Sequence, residues 1–101
     1  MKVVYTDQSL DSLEELMIFL IEEQKIPLDK VLEMQTKILD KSDSLADHPY
    51  TGQTEEYLEH LEKGHRRLVE GHIKIIYRVE GQYIYITDFF DTRQDPIKIK
   101  G

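Results

Sequence analysis

The chain has 101 residues with 13 Lys or Arg, 20 Asp or Glu, no Cys and a net charge of −7. This length predicts one domain, residues 1–101, that buries more than half of the surface of its unfolded chain. The absence of Cys excludes disulfides, Cys-ligated zinc, iron–sulfur clusters and thiol catalysis. The longest apolar run has six residues, at 16–21, whereas a membrane span needs about 20.

The charge is divided unevenly between the two parts of the chain. Residues 1–63 carry 15 acidic and 6 basic side chains, whereas residues 64–101 carry 5 acidic and 7 basic ones. An acidic protein repels nucleic acid unless basic residues are concentrated on one face. Any such face must therefore come from the last forty or so residues. The first residues lack the apolar segment of a signal peptide, which predicts a cytoplasmic location.

The first half of the chain predicts a strand followed by two helices. Residues 2–5 are short and β-branched, as in a strand. Ser12 and Glu15 fit a capping box, and apolar residues at three-and-four spacing predict a helix over 9–24. Pro27 ends that helix and begins a second one, and the short connection at 25–27 predicts an antiparallel hairpin. The apolar positions of the two helices are Leu10, Leu13, Leu16, Met17, Leu20 and Ile21, then Leu28, Val31, Leu32, Ile38, Leu39 and Leu45.

The second half of the chain predicts a β-meander. Pro49 and Gly52 mark a turn that ends the helical half, and residues 55–63 predict a short surface helix closed by Gly64. From there the apolar period changes from 3.6 to 2, which predicts strands at 65–69, 72–79 and 82–90 joined by tight turns at Gly71 and Gly81. The element order indicates an α+β fold of two layers, in which the helical hairpin covers one face of a three-stranded antiparallel sheet.

Alternation along the middle strand assigns its side chains to two faces. One face, turned towards the helices, is predicted to hold Ile73, Ile75, Tyr77 and Val79. Lys74, Ile76 and Arg78 then point to an uncovered face. We expect cations and aromatic rings from neighbouring segments to gather there, namely Arg66 or Arg67, Tyr83 or Tyr85, and Arg93.

Two segments carry a resemblance to a known superfamily. Residues 66–79, RRLVEGHIKIIYRV, and residues 88–96, DFFDTRQDP, resemble the central strands and the Arg-bearing last segment of the RelE/ParE toxins of type II toxin–antitoxin modules, also called plasmid stabilisation proteins. The turn from His48 to Gly52 after a long helix is similar as well. The resemblance implies a RelE/ParE-like fold, a toxin that arrests growth of its own cell, and a cognate antitoxin protein that neutralises it.

The superfamily divides by target. RelE-like members enter the ribosome and cleave mRNA, whereas ParE-like members inhibit DNA gyrase. The resemblance places Lys74 and Arg93 where RelE-like nucleases carry catalytic cations, although Lys lacks the planar two-pronged grip of Arg. On the predicted uncovered face, Arg66, Arg67, Arg78 and Tyr85 are the candidate RNA-binding or target-binding residues.

A metal-independent endoribonuclease also needs a proton donor and a base. Ile97, Ile99 or Asp91 stands where nuclease relatives carry Tyr or His, so the sequence favours a ParE-like toxin that binds and inhibits its target. An mRNA endoribonuclease is the alternative, and a degenerate, non-toxic binding module is a third possibility. We expect no cofactor, no small-molecule ligand, no membrane association and no metal, because the four His residues lack metal-ligand spacing.

Overall fold

The computed structural model describes every residue from Met1 to Gly101. Its two α-helices, α1 at Asp7–Glu22 and α2 at Leu28–Asp43, form the predicted hairpin. Helix α1 begins two residues before its predicted start because Thr6 is its N-cap and accepts a hydrogen bond from the Ser9 backbone N–H. It ends before the predicted residue 24, and Lys25 turns the chain with a positive φ of 55°. Neither helix has the length and apolar character needed to cross a membrane.

The sheet has five strands in the spatial order β1-β5-β4-β3-β2. They are β1 at Lys2–Tyr5, β2 at Gln53–Thr54, β3 at Arg66–Glu70, β4 at Ile73–Glu80 and β5 at Tyr83–Asp91. Strands β3, β4 and β5 form the predicted antiparallel meander. The sheet is larger than the meander because β1 pairs in parallel with β5 and the short β2 pairs with β3. Strand β1 therefore places the N-terminal residues beside the last strand of the sheet.

The main core lies between the helical hairpin and one face of the sheet, which we call the helix-covered face. Ile73, Ile75 and Tyr77 of β4 belong to this core, as alternation predicts, and Val79 packs against its edge. Apolar residues from the helices and from β5 complete it, including Leu13, Leu16, Leu20, Val31, Ile38, Ile84, Ile86 and Phe89.

The other face of the sheet, which we call the outer face, is not bare, and this corrects the expectation from the sequence. Ile76 and Phe90 point to the outer face and form a second buried cluster with Leu58 and Ile99. Leu58 belongs to the 3₁₀ helix Glu56–Leu61, the shorter form of the predicted surface helix, and Ile99 follows the 3₁₀ helix Pro96–Lys98. These two segments cover part of the outer face because removing the Ile76 and Phe90 side chains from water stabilises the folded chain.

Candidate functional site

A buried carboxylate organises the cations at one end of the outer face. Glu55 is fully buried, and its Oε1 lies 2.6 Å from the Nζ of Lys74. Its Oε2 lies 3.5 Å from the Nη1 of Arg67. The 3₁₀ helix Glu56–Leu61 holds the carboxylate in place, because Glu55 caps that helix and its backbone N–H donates to the carbonyl of His65. The structure thus brings Lys74 and Arg67 together, but around an internal anion.

The Glu55 cluster is nearly closed to solvent. The side chains of Lys74 and Arg67 are only 15% and 17% exposed. Arg67 also donates to the carbonyl of Thr54 and to the exposed Glu56 carboxylate at 3.0 Å. A buried charge is stable only when it is paired and hydrogen-bonded. A phosphate group could reach Lys74 and Arg67 only by competing with Glu55.

Arg93 is held by a second buried carboxylate, Asp91. The Nε and Nη2 of Arg93 donate to the two Asp91 oxygens at 2.9 and 2.6 Å. These hydrogen bonds raise the pKa of the Arg93 guanidinium above its ordinary value. Asp91, which the resemblance places among the residues that replace the Tyr or His of nuclease relatives, is the ion-pair partner of Arg93.

The predicted convergence of Arg93 with Lys74 is wrong. Asp91 stands opposite the core residue Ile73 in the β4–β5 ladder, whereas Lys74 stands opposite Phe90. Residues opposite each other in a ladder share a face, and neighbours along a strand alternate. Arg93 therefore binds a carboxylate of the helix-covered face, while Lys74 belongs to the outer face. The catalytic roles implied for both residues stay predictions.

Arg66 is also separated from this cluster. It stands opposite the core residue Tyr77 in the β3–β4 ladder, on the face away from Arg67. Its Nη1 donates to the carbonyl of Gly52 at 2.7 Å, and its guanidinium lies 5.2 Å from the ring centroid of Tyr50. Arg66 therefore holds the turn before β2.

Arg78 and Tyr85 come together on the open part of the outer face. The guanidinium of Arg78 lies 4.7 Å from the ring centroid of Tyr85, within range of a cation–π contact. Arg78 also forms an ion pair with Glu80, and the ring of Tyr83 lies 6.0 Å from that of Tyr85. We call Arg78, Glu80, Tyr83 and Tyr85 the Arg78 patch. A recess of about 440 Å³ adjoins it, lined in part by Lys63.

Sequence reasoning missed Glu55. Glutamate is rarely fully buried unless it is paired, and its partners Arg67 and Lys74 lie 12 and 19 positions further along the chain. The ring of Tyr57 lies 5.5 Å from the Lys74 ammonium and also closes the cluster. No local pattern in the sequence indicates these contacts, because they depend on how the segment 55–61 folds onto the sheet.

Two further buried titratable groups lie near the outer face. His65 is 2% exposed and neither of its ring nitrogens has a hydrogen-bond partner. Its burial, followed by the charges of Arg78 and Lys63, lowers its pKa. Burial raises the pKa of the Asp88 carboxyl, which accepts a hydrogen bond of 2.9 Å from the Lys100 backbone N–H. Asp88 thereby fastens the C-terminal residues to β5.

Comparison with known proteins agrees with this architecture. The fold is similar to the structure titled "Chromosomal ParDE TA system from P. aeruginosa", with a TM-score of 0.72 and 19% sequence identity over 90% of this chain and 95% of that chain. At this identity the likeness shows a shared fold. No curated protein sequence matches the chain. Residues 3–96 match the family described as "ParE toxin of type II toxin-antitoxin system, parDE". Because this match covers nearly the whole sequence, the chain belongs to the ParE toxin family of type II toxin–antitoxin systems.

Proposed function

We propose that this toxin arrests growth in the cytoplasm by binding and inhibiting a protein target, with DNA gyrase as the ParE-like precedent, and that a cognate antitoxin neutralises it. One observation carries the choice of binding over RNA cleavage. Lys74 and Arg93, the two candidate catalytic cations, are each held by a fully buried carboxylate, Glu55 and Asp91. These carboxylates belong to opposite faces of the sheet.

RNA cleavage makes demands that this arrangement does not meet. Cations must converge on one phosphate to stabilise the charge of the transition state. Removing one partner of a buried ion pair costs about 3–5 kcal/mol. A substrate phosphate that separated Lys74 from Glu55 would incur much of that cost, and Arg93 would still be paired with Asp91 of the other face. The geometry thus supports a structural role for both pairs.

The Arg78 patch is the best candidate for the target-binding surface. It lies where the outer face is free of the two 3₁₀ helices, and Tyr83 is 45% exposed. Tyr and Arg are the residue types that contribute most to protein–protein binding energy, since they combine apolar area with polar contacts. Arg78 and Tyr85 already stack on each other, so they lose little freedom when a partner binds.

The endoribonuclease remains the second candidate because one observation favours it. Arg67 and Lys74, both predicted RNA contacts or catalytic groups, lie around the same carboxylate. If Glu55 moved away, two neighbouring cations would be exposed on the outer face. This candidate differs from the first because it would leave cut mRNA, whereas a binding toxin leaves mRNA intact.

The two candidates are separated by testing the purified chain for inhibition of gyrase supercoiling and for mRNA cuts during in vitro translation, mapped by primer extension. We expect inhibited supercoiling and intact mRNA. Tyr85→Ala with Arg78→Ala should weaken inhibition at least about tenfold, the effect of losing an interface hot spot. Ile97→Ser, an exposed apolar change outside the patch, is the matched control.

New mRNA cuts that disappear in Arg93→Ala would overturn the proposal in favour of the nuclease. If neither gyrase nor mRNA is affected and overexpression is harmless, the chain is a non-toxic binding module. The antitoxin is tested by co-expressing the neighbouring open reading frame, which should restore growth and give a stable complex with this chain.

A further inference from the structure

Three carboxylates are buried in this chain, and one of them has no cationic partner. Glu55 pairs with Lys74, and Asp91 pairs with Arg93. Asp88 is also buried, at 3% exposed, but it forms no ion pair. Burial of a carboxylate without a cation is unfavourable unless the group takes up a proton or an external cation binds beside it. The surroundings of Asp88 therefore decide what can bind there.

Asp88 lines a recess of about 300 Å³ between α1, the end of β5 and the C-terminal segment, which we call the Asp88 recess. Ser12 of α1 lines it as well, and its buried hydroxyl makes no hydrogen bond of normal geometry. The Oδ2 of Asp88 accepts from the Lys100 backbone N–H. Burial raises the pKa of Asp88, and the nearby Ser12 hydroxyl and Lys100 charge oppose this only in part. The recess thus holds a carboxyl and a hydroxyl that can each accept a further donor.

The rest of the recess changes from apolar inside to positively charged at its rim. Its apolar lining comes from four side chains, Leu16, Phe19, Phe89 and Phe90. Lys98, Lys100 and Glu15 are exposed and form the rim. Lys100 pairs with Glu15 at 3.8 Å, and exposed pairs of this kind are weak. Both lysines are therefore available to an anionic group of a ligand.

This arrangement selects among possible occupants. Calcium and magnesium ions need about six oxygen ligands, and the chain has no group of three acidic or His side chains suited to a metal. An organic ammonium group needs only one carboxylate and can also donate to a hydroxyl. The lysines of the rim would repel a ligand that carries positive charge alone, but they would pair with a carboxylate on the same ligand. The volume lies at the lower end of small-molecule sites, which suits a ligand of amino-acid size.

We propose that the Asp88 recess binds a free α-amino acid with an apolar side chain. Its ammonium group donates to Asp88 and Ser12, its carboxylate pairs with Lys98 or Lys100, and its side chain packs against the phenylalanine rings of the lining. The inference goes beyond the proposed function, since it requires neither the Arg78 patch nor gyrase. From the sequence we expected no small-molecule ligand, because Ser12 and Asp88 lie 76 positions apart and no local pattern joins them.

Amide chemical shift titration of the full ¹⁵N-labelled chain tests the proposal with three ligands. They are L-phenylalanine, its amide, which lacks the carboxylate, and 3-phenylpropionate, which lacks the ammonium group. We expect L-phenylalanine to bind with a Kd of about 1 mM or lower, as for a ligand of this size, and to shift amides of α1, the end of β5 and residues 94–100. The other two should each bind at least about tenfold more weakly, because each leaves a charge without its partner.

Variants of the toxin locate the two charged contacts. Asp88→Asn keeps an acceptor for the Lys100 N–H but removes the negative charge, and it should weaken L-phenylalanine binding at least about tenfold. Asp47→Asn makes the same change at an exposed acidic residue elsewhere and should leave affinity within about twofold. Lys98→Gln with Lys100→Gln should reduce the affinity for L-phenylalanine to about that for the amide. Circular dichroism checks that each variant is folded.

The wild-type chain gives a second measurement that does not depend on any variant. Carboxyl ¹³C NMR follows the titration of Asp88 with and without L-phenylalanine. We expect the bound ligand to lower the pKa of Asp88, because a neighbouring ammonium group favours the charged form. The same titration with 3-phenylpropionate should leave that pKa unlowered.

Four results would overturn the proposal. They are the absence of amide shifts at about 20 mM L-phenylalanine, equal binding of 3-phenylpropionate, unchanged affinity in Asp88→Asn, and an Asp88 pKa that the ligand does not lower. Equal binding of the amide would overturn the choice of a free amino acid, because the lysines would then contribute nothing. None of these readouts involves gyrase, mRNA or growth, so a failure of the proposed toxic activity is distinguishable from a failure of this inference.

Discussion

At the scale of single residues, the buried Glu55 carboxylate pairs with two cations of the outer face. A fully buried carboxylate is stable only while its cationic partners remain. Lys74 provides the closer contact, 2.6 Å, and Arg67 the longer one, 3.5 Å, while also serving Glu56. The stability of the region 55–61 therefore depends on Lys74, which the sequence suggested as a catalytic residue.

Lys74→Met should lower the free energy of unfolding by about 3 kcal/mol, because it leaves Glu55 buried with only its weaker partner. Urea denaturation followed by circular dichroism measures this. The double variant Lys74→Met with Glu55→Leu should recover most of the loss, since an apolar pair of similar volume replaces the ion pair. A loss below about 1 kcal/mol in the single variant, within the range of exposed ion pairs, would contradict the structural role.

His65 is buried without a hydrogen-bond partner, and this predicts a pH dependence of stability. Burial lowers its pKa in the folded chain, so the unfolded chain binds the proton more readily. Stability is therefore lost as the pH falls below about 6.5, the ordinary pKa of His, towards the lower folded value. His65→Leu should remove this loss and should also stabilise the chain at pH 7 by about 1 kcal/mol, since no unpaired polar group remains buried.

The measurement is urea denaturation of wild type and His65→Leu between pH 7 and pH 5. His60 is exposed, so His60→Leu is the matched control and should keep the dependence of the wild type. Parallel stability curves for wild type and His65→Leu would show that other groups cause the effect.

At the scale of elements, the turn before β2 determines how the helical half joins the sheet. Gly52 donates its backbone N–H to the Tyr77 hydroxyl at 2.9 Å. A Cβ at Gly52 would lie 2.6 Å from both the Arg67 carbonyl oxygen and the Tyr77 hydroxyl oxygen. The backbone of β3 and the core ring of β4 thus leave no space for a side chain, and only glycine permits this approach.

Gly52→Ala should lower the free energy of unfolding by about 2 kcal/mol, the usual cost of overpacking. Gly71→Ala is the control, because a Cβ there would have no neighbour within 4 Å and only the positive φ of 59° is unfavourable. That conformation costs about 1 kcal/mol for alanine. Thermal unfolding of both variants gives the comparison. A smaller effect for Gly52→Ala than for Gly71→Ala would show that β2 moves aside easily.

At the scale of the whole molecule, the sheet separates two surfaces of different character. The helical hairpin, with its many acidic side chains, lies on one side, and the Arg78 patch lies on the other. The division follows from the chain order, because the acidic residues are concentrated in the helical half and the basic ones in the meander.

The sequence alone determined the fold class, the helical hairpin, the meander and the face of each β4 residue. These features follow from local periodicity, turn residues and strand alternation. The parallel pairing of β1 with β5 was not predictable in the same way, because it joins residues about 80 positions apart, such as Lys2 and Tyr83. Nor could the sequence show that Leu58 and Ile99 would cover Ile76 and Phe90.

The arrangement of the cations was decided by tertiary structure alone. Charged residues carry no local signal of their partners, since an ion pair depends on distance in space. Glu55 reached Lys74 and Arg67 only because the segment 55–61 folds over the outer face. The register of β4 and β5 places Asp91 opposite Ile73, so its side chain belongs to the helix-covered face. Arg93 pairs with Asp91 and is therefore separated from Lys74.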